Sequence, residues 1–249
     1  MPGDSAATQI ELAVDMTCEQ CSAVIERHLK SNKNIKSFNI NLEKQTVFLE
    51  SALPSSEVVK FVEETGKKAL ITGVGAGGRD AVNLGSAVAI MNEGLPETRI
   101  KGVVRLVQST MKVCIVDGTL DGLCPTSKHR LAIHEYGDIT DGCKSCGQVL
   151  DLEKKCSRQN LYGDLGEIAC DDTGHSTFRI ETERVKVWDI IGRSMVVSSQ
   201  HNEKLSLNWN KLACGIIARS AGILENFKRI CACDGTTIWE EQTFSDVKK

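Results

Sequence analysis

Met16-Thr17-Cys18-Glu19-Gln20-Cys21 decides how the first part of this chain folds. It places two thiols three residues apart where an alternating run, Gln9-Ile10-Glu11-Leu12-Ala13-Val14, gives way to a second kind of period. In that next run Cys21, Val24, Ile25, His28 and Leu29 recur at helical spacing, whereas the first run has the two-residue period of a strand. Cys18 therefore falls in the connecting loop and Cys21 in the first turn of a helix. A helix amino terminus carries partial positive charge, which lowers thiol pKa and favours the thiolate that binds soft metal. Two thiolates with few other donors suit linear or trigonal Cu(I) better than tetrahedral Zn(II). A bare Cys-x-x-Cys also serves thioredoxin-type redox chemistry and half-sites for zinc, so the surroundings must decide.

Working outward, Ile35 to Asn41 and Thr46 to Ser51 read as strands, Ser55 to Thr65 as a helix, and Ala69 to Thr72 as a last short strand. The order β-α-β-β-α-β defines a ferredoxin-like α+β unit. With Met-x-Cys-x-x-Cys on its first loop, residues 1–72 resemble the heavy-metal-associated domain of copper chaperones and copper-pumping ATPases, which implies copper at Cys18 and Cys21. His28 is expected to lie at the surface or in packing rather than to serve as a ligand. Lys67 is expected near the thiols, where it would soften the charge of an anionic complex.

Gly73-Val74-Gly75-Ala76-Gly77-Gly78 satisfies Gly-x-Gly-x-x-Gly, but no helix follows; the next substantial run, Ser86 to Met91, is strand-like. A dinucleotide site requires that helix. Residues 73–85 are therefore expected to be a Gly-rich linker. From 86 to 222 the pattern is all β. Expected strands are Ile100 to Val107, Lys112 to Val116 with Asp117-Gly118 as a turn, Lys128 to His134, Ser176 to Ile180, Arg184 to Trp188, Ser194 to Ser199 and Leu212 to Ala218. Short strands at this spacing indicate a sandwich or barrel. The interval from Tyr136 to Asp172 is rich in Gly, Asp and Cys without a clear period. Residues 223–249 form a mostly irregular tail carrying Cys231 and Cys233.

Composition narrows the function. Apolar residues make up 41% of the 249, enough for real cores, and Lys+Arg 30 against Asp+Glu 33 leaves a net charge of −3. That balance points away from nucleic acid, and no run has the ~18 apolar residues of a membrane span. Eleven cysteines with no secretory signal at Met1 to Gln9 suggest metal or redox work in a reducing compartment, the cytosol.

Further residues make the β unit recognisable. His134-Glu135-Tyr136-Gly137-Asp138, Gly142-Cys143, Gly163-Asp164-Leu165-Gly166 and Leu212-Ala213-Cys214-Gly215 resemble, in order, copper-zinc superoxide dismutase. The resemblance implies a Greek-key barrel and a Cys143–Cys214 disulfide. Lys186 to Ser194, Ile216 to Gly222 and Cys231-Ala232-Cys233-Asp234-Gly235 are similar to the copper chaperone family for superoxide dismutase. Matched residue by residue, dismutase ligand positions hold Ala132, Val149, Leu161 and Ser198, and only His134 and Asp164 remain. Zinc in the barrel is not expected, nor is dismutase activity. His134 and Asp164 are expected to be structural.

The barrel is read as a recognition surface. By resemblance, Tyr136, Gly137, Ile191, Gly192 and Ile216 would bind a superoxide dismutase subunit in a heterodimer. Arg219 stands where the dismutase interface carries an apolar side chain. Cys231 and Cys233, too close for an unstrained mutual disulfide, suit Cu(I) binding and transient thiol exchange. The expected function is delivery of Cu(I) to apo dismutase with help in forming its disulfide, after loading by a donor such as a membrane copper transporter. A mitochondrial intermembrane-space pool and a homodimer of free chains stay open. The alternatives are a copper storage or detoxification protein and a thiol oxidoreductase. Cys146 makes a second Cys-x-x-Cys with Cys143; pairing it with Cys18 and Cys21 in a zinc site would have to bridge two domains.

Overall fold

A computed structural model describes residues 6–78, 83–94, 99–152, 161–200 and 210–226. The first unit comprises β1 (Thr8–Val14), α1 (Glu19–Ser31), β2 (Ile35–Asn41), β3 (Thr46–Ser51), α2 (Ser55–Glu63) and β4 (Ala69–Ala76). Its antiparallel sheet has the order β2-β3-β1-β4. Ile10 and Leu12 alternate from one face of β1 onto Ile25 and Leu29 of α1 and Val58 and Val62 of α2. Each of these side chains is at most 1% exposed. That packing, more than intrinsic propensity, holds a nine-residue helix such as α2 in place.

The second unit contains β5 (Ser86–Met91), β6 (Glu93–Gly94), β7 (Lys101–Gln108), β8 (Cys114–Asp121), β9 (Lys128–His134), β10 (Thr140–Cys143), β11 (Asp164–Ile168), β12 (Ser176–Thr182), α3 (Val187–Ile190), β13 (Ser194–Gln200) and β14 (Asn210–Arg219). Its antiparallel sheet runs β11-β9-β13-β14-β5-β7-β8-β12, with β6 added beside β14. The end strands β11 and β12 face each other, so the barrel is nearly closed. Val104, Leu120, Leu131, Met195, Val197 and Ile217 fill it.

Three expectations are corrected. β4 continues to Ala76, so the first part of the Gly-rich segment is strand, not linker. Gly73 lies against the Gly222 carbonyl and Gly75 against Ile223, and side chains there would push that crossing segment away. Asp117-Gly118 is no turn but the middle of β8. Gly118 is needed because the Phe178 ring occupies the space a Cβ would fill. Finally, the Val185 and Val187 alternation does not make a strand: Val187–Ile190 form one short helical turn. Its entry is fixed by the Lys186 and Val187 N–H groups, which donate to the Tyr162 hydroxyl (3.0 Å) and Gln108 Oε1 (2.9 Å).

The two units share a buried polar contact. The Ser55 backbone N–H and hydroxyl, at the start of α2, donate to Asp117 at 3.0 and 2.7 Å. Arg179 of β12 stands 3.7 Å from the same carboxylate, with both side chains under a tenth exposed. Its guanidinium also donates to the Ala6 carbonyl at 2.7 Å. On another side, the Glu11 carboxylate accepts the Leu224 N–H at 2.8 Å.

Candidate metal site

Cys18 occupies the N-cap of α1 and Cys21 its first turn, as the change of period requires. Their sulfurs are 3.0 Å apart. Cys18 is exposed and Cys21 is 9% exposed, so the pair sits at the surface with one sulfur backed by the core. Met16 is buried beneath the loop, and its carbonyl accepts from Gln45 Nε2 at 2.9 Å, which fixes the loop against the β2–β3 turn. The Cys21 thiol is lowered to about 6, first by the hydrogen bond with Cys18, then by the Thr17 backbone and Lys67. A thiolate is thus available near neutral pH without a metal to enforce it. His28 is no ligand here: it stacks on Phe61 at 4.0 Å and meets Glu64 at 3.1 Å. No third His, Cys, Asp or Glu completes a metal cluster anywhere among the described residues. The sulfur pair, open on its Cys18 side, can hold a two-coordinate ion and leaves that ion accessible to an incoming thiolate.

The barrel's dismutase-like positions are occupied by structural contacts. Burial pushes the His134 imidazole down to about 4, so it stays neutral; Nδ1 bonds the Gly147 carbonyl at 3.0 Å. Asp164 is taken by Arg130, whose Nε donates at 2.8 Å. That ion pair and the Gly166 N–H hold its carboxyl below the usual range against the opposing effect of burial, which is the largest single influence. Ala132 lies beside Asp164 in the β9–β11 register and offers no donor.

The residues expected at a docking face do come together. The Gly192 N–H donates to Ile217 (2.9 Å) and the Ile217 N–H to Arg193 (2.8 Å). Arg193 Nη1 then reaches the Glu135 carbonyl at 2.8 Å. Gly137 packs on the Gly192 carbonyl, where a Cβ would collide. Tyr136 and Ile216 project from this assembly, 58% and 40% exposed, while Ile191 packs against the core. Cys143 and Cys214 also meet, with sulfurs 2.6 Å apart. Cys146 joins them in one buried cluster and not the Cys18–Cys21 loop. Cys231 and Cys233 lie outside the described residues.

Two comparisons agree with this layout. The heavy-metal-associated domain model matches residues 11–68 and the copper/zinc superoxide dismutase model residues 100–217. The human copper chaperone for superoxide dismutase is 41% identical over 94% of this chain and 88% of its own length. The chain belongs to that family. Its relatives include the Arabidopsis thaliana chloroplastic/cytosolic copper chaperone for superoxide dismutase, 35% identical over 95% of this chain and 72% of that protein. The Saccharomyces cerevisiae superoxide dismutase 1 copper chaperone is 32% identical, covering 92% of each chain. In this family member the sequence signal located both sulfur pairs of the described residues. It missed the Ser55–Asp117–Arg179 contact, because polar residues far apart in sequence carry no periodicity that would pair them.

Proposed function

We propose that the chain carries Cu(I) on Cys18 and Cys21 and delivers it to immature copper-zinc superoxide dismutase, acting as a metallochaperone without dismutase activity of its own. The observation that carries this reading is an exposed two-thiol site joined to a dismutase-like barrel whose metal positions hold Ala132, Val149, Leu161 and Ser198. Copper is cargo. Because Cys18 is exposed, an entering thiolate can bind the ion and displace Cys18 while Cys21 still holds it, so transfer proceeds by ligand exchange without release of a free ion. The barrel takes no zinc, for want of donors. It docks one dismutase subunit as a heterodimer through Tyr136, Gly137, Ile191, Gly192 and Ile216. Cys231 and Cys233 receive the copper as thiolates; oxidised in turn by an external oxidant such as dioxygen, they form a transient disulfide that exchanges with the target's two thiols, which leaves the target's intrasubunit disulfide and two tail thiols. A Cys143–Cys214 disulfide ties β10 to β14. The proposed compartment is the cytosol, with the mitochondrial intermembrane space and a membrane copper transporter as donor to be examined by fractionation and copper transfer.

The test mixes Cu(I)-loaded chain with zinc-bound, disulfide-reduced, copper-free dismutase in the presence of a strong Cu(I) chelator. Dismutase activity and target disulfide are then followed. Activation by the wild type, lost in Cys18→Ser/Cys21→Ser and in Cys231→Ser/Cys233→Ser, supports delivery. Activation no better than that given by free copper under the same chelator refutes it and leaves storage.

A further inference from the structure

Cys146 stands in a position the delivery reading does not use. It is fully buried, and with Cys143, Val196 and Cys214 it forms a small cluster closed over by Ile139. Cys214, on β14, is the common neighbour. Its sulfur is 2.6 Å from that of Cys143, and Cys146 lies in the same buried cluster. Cys143 and Cys146 are separated only by Lys144 and Ser145, on the turn that ends β10. Two sulfurs on one short turn therefore meet a third on the neighbouring strand β14, outside the barrel's main core.

We propose that Cys214 is a shared disulfide partner, its bond to Cys143 isomerising to a bond with Cys146 and back by intramolecular exchange. This rests on the Cys143–Cys214 pairing proposed above and not on copper delivery. In the forward step the Cys146 thiolate attacks Cys214 Sγ. The Cys146–Cys214 bond forms, the Cys143–Cys214 bond breaks, and the electron pair leaves on Cys143 Sγ, which takes the proton Cys146 gave up. One disulfide is present before and after, so no oxidant is consumed.

Three features favour exchange. The attacking sulfur must be ionised; once Cys214 is held in a disulfide its thiol no longer supports Cys146, and the Ser194 hydrogen bond and the Lys211 charge are what still lower that thiol against burial. The folded cluster shields its sulfurs, Cys143 being 6% exposed and Cys146 and Cys214 not exposed at all, so an outside thiol reaches them only when the cluster opens. Attack from within needs no such opening, and a nucleophile held in the same cluster enjoys a high effective concentration. The exchange also has a structural consequence. The Cys146 carbonyl accepts the Tyr136 N–H at 3.1 Å, and the Tyr136 ring packs over Gly147. Moving the anchor from Cys143 to Cys146 pulls directly on the segment supporting Tyr136.

The experiment incubates the full chain in a glutathione redox buffer to constant composition, blocks free thiols with N-ethylmaleimide after acid quench, and maps linked tryptic peptides by mass spectrometry. Trypsin cuts after Lys144, so Cys143 and Cys146 report separately, while Cys214 lies in the peptide Leu212 to Arg219. The expected result is both linkages to Cys214, within about tenfold of each other, a gap of about 30 mV. Cys143→Ser should retain a Cys146–Cys214 bond and Cys146→Ser a Cys143–Cys214 bond. A wild type linked only through Cys143, with Cys146 fully alkylated, overturns the isomerisation and leaves the disulfide reading intact. A Cys143–Cys146 bond, or no bond at Cys214, overturns both.

Discussion

Replacing Asp117 with Asn should loosen the first unit from the barrel, and the cost can be worked from the contacts. Asp117 is 4% exposed and accepts two hydrogen bonds from Ser55. Its charge also faces two cations, the buried Arg179 guanidinium at 3.7 Å and the half-buried Arg105, the latter through space. Asn conserves the shape and one acceptor but removes the negative charge, leaving both guanidiniums without that counterion. Breaking one side of a buried ion pair costs about 3–5 kcal/mol. The other Arg179 contacts, to the Ala6 and Leu53 carbonyls, persist and put the expectation near the lower end, about 3 kcal/mol. With a urea m-value of about 1–3 kcal/mol/M the midpoint should fall by about 1 M or more. None of the three tryptophans lies in the first unit and Trp188 belongs to the barrel, so tryptophan fluorescence leaves the first unit unreported whereas far-ultraviolet circular dichroism follows both units. The comparison is Lys30→Ala, which removes an exposed pair with Glu26 at 2.6 Å and should cost at most about 0.5 kcal/mol. A loss below about 1 kcal/mol in Asp117→Asn would refute the view that this carboxylate is the electrostatic pivot of the junction.

The remaining predictions concern the thiols, the neutral imidazole and the docking face. Alkylation of Cys21 should reach half its maximal rate near pH 6 and slow below it; Cys18→Ser should move that midpoint upward more than Lys67→Met, because the Cys18 bond is the largest cause of the shift. A midpoint unchanged in both variants would contradict the arrangement. His134 is held neutral, with its folded value at about 4 against 6.5 for the free side chain. The unfolded chain therefore binds the extra proton first as pH falls. Stability is fully present above pH 6.5 and declines toward pH 4, by on the order of 3 kcal/mol for this group. Denaturation midpoints at pH 7 and pH 4.5 should converge in His134→Gln relative to wild type, and equal pH dependence in both would count against the assignment. Tyr136→Asp should weaken capture of a dismutase subunit by about thirtyfold or more while Cu(I) binding at Cys18 and Cys21 is unchanged. Sedimentation with and without copper separates the two effects, and unaltered heterodimer formation would remove Tyr136 from the face.

The metal loop was the most legible part of the chain, since the switch from a two-residue to a helical period falls at Cys18 and fixes the cap and first turn. Where the sequence misled, it did so at residues chosen for tertiary reasons. Asp117-Gly118 has turn chemistry, yet the aspartate is committed to Ser55 and the glycine to the Phe178 ring. β11 escaped notice because Gly166, at φ +96°, sits at an irregularity in its pairing with β9 and breaks the alternation.

By itself, the sequence determined which side chains are available: two thiols at the start of a helix, and an absence of dismutase donors at Ala132, Val149, Leu161 and Ser198. Those are matters of residue identity and local period, which do not depend on the rest of the fold. Only the tertiary structure decided which distant groups meet. It placed Asp117 on Ser55, 62 residues away, and it brought Cys146 to Cys214 rather than to the metal loop. Burial decides such pairings, because a charge or thiol removed from water must find its partner wherever the closing barrel puts one.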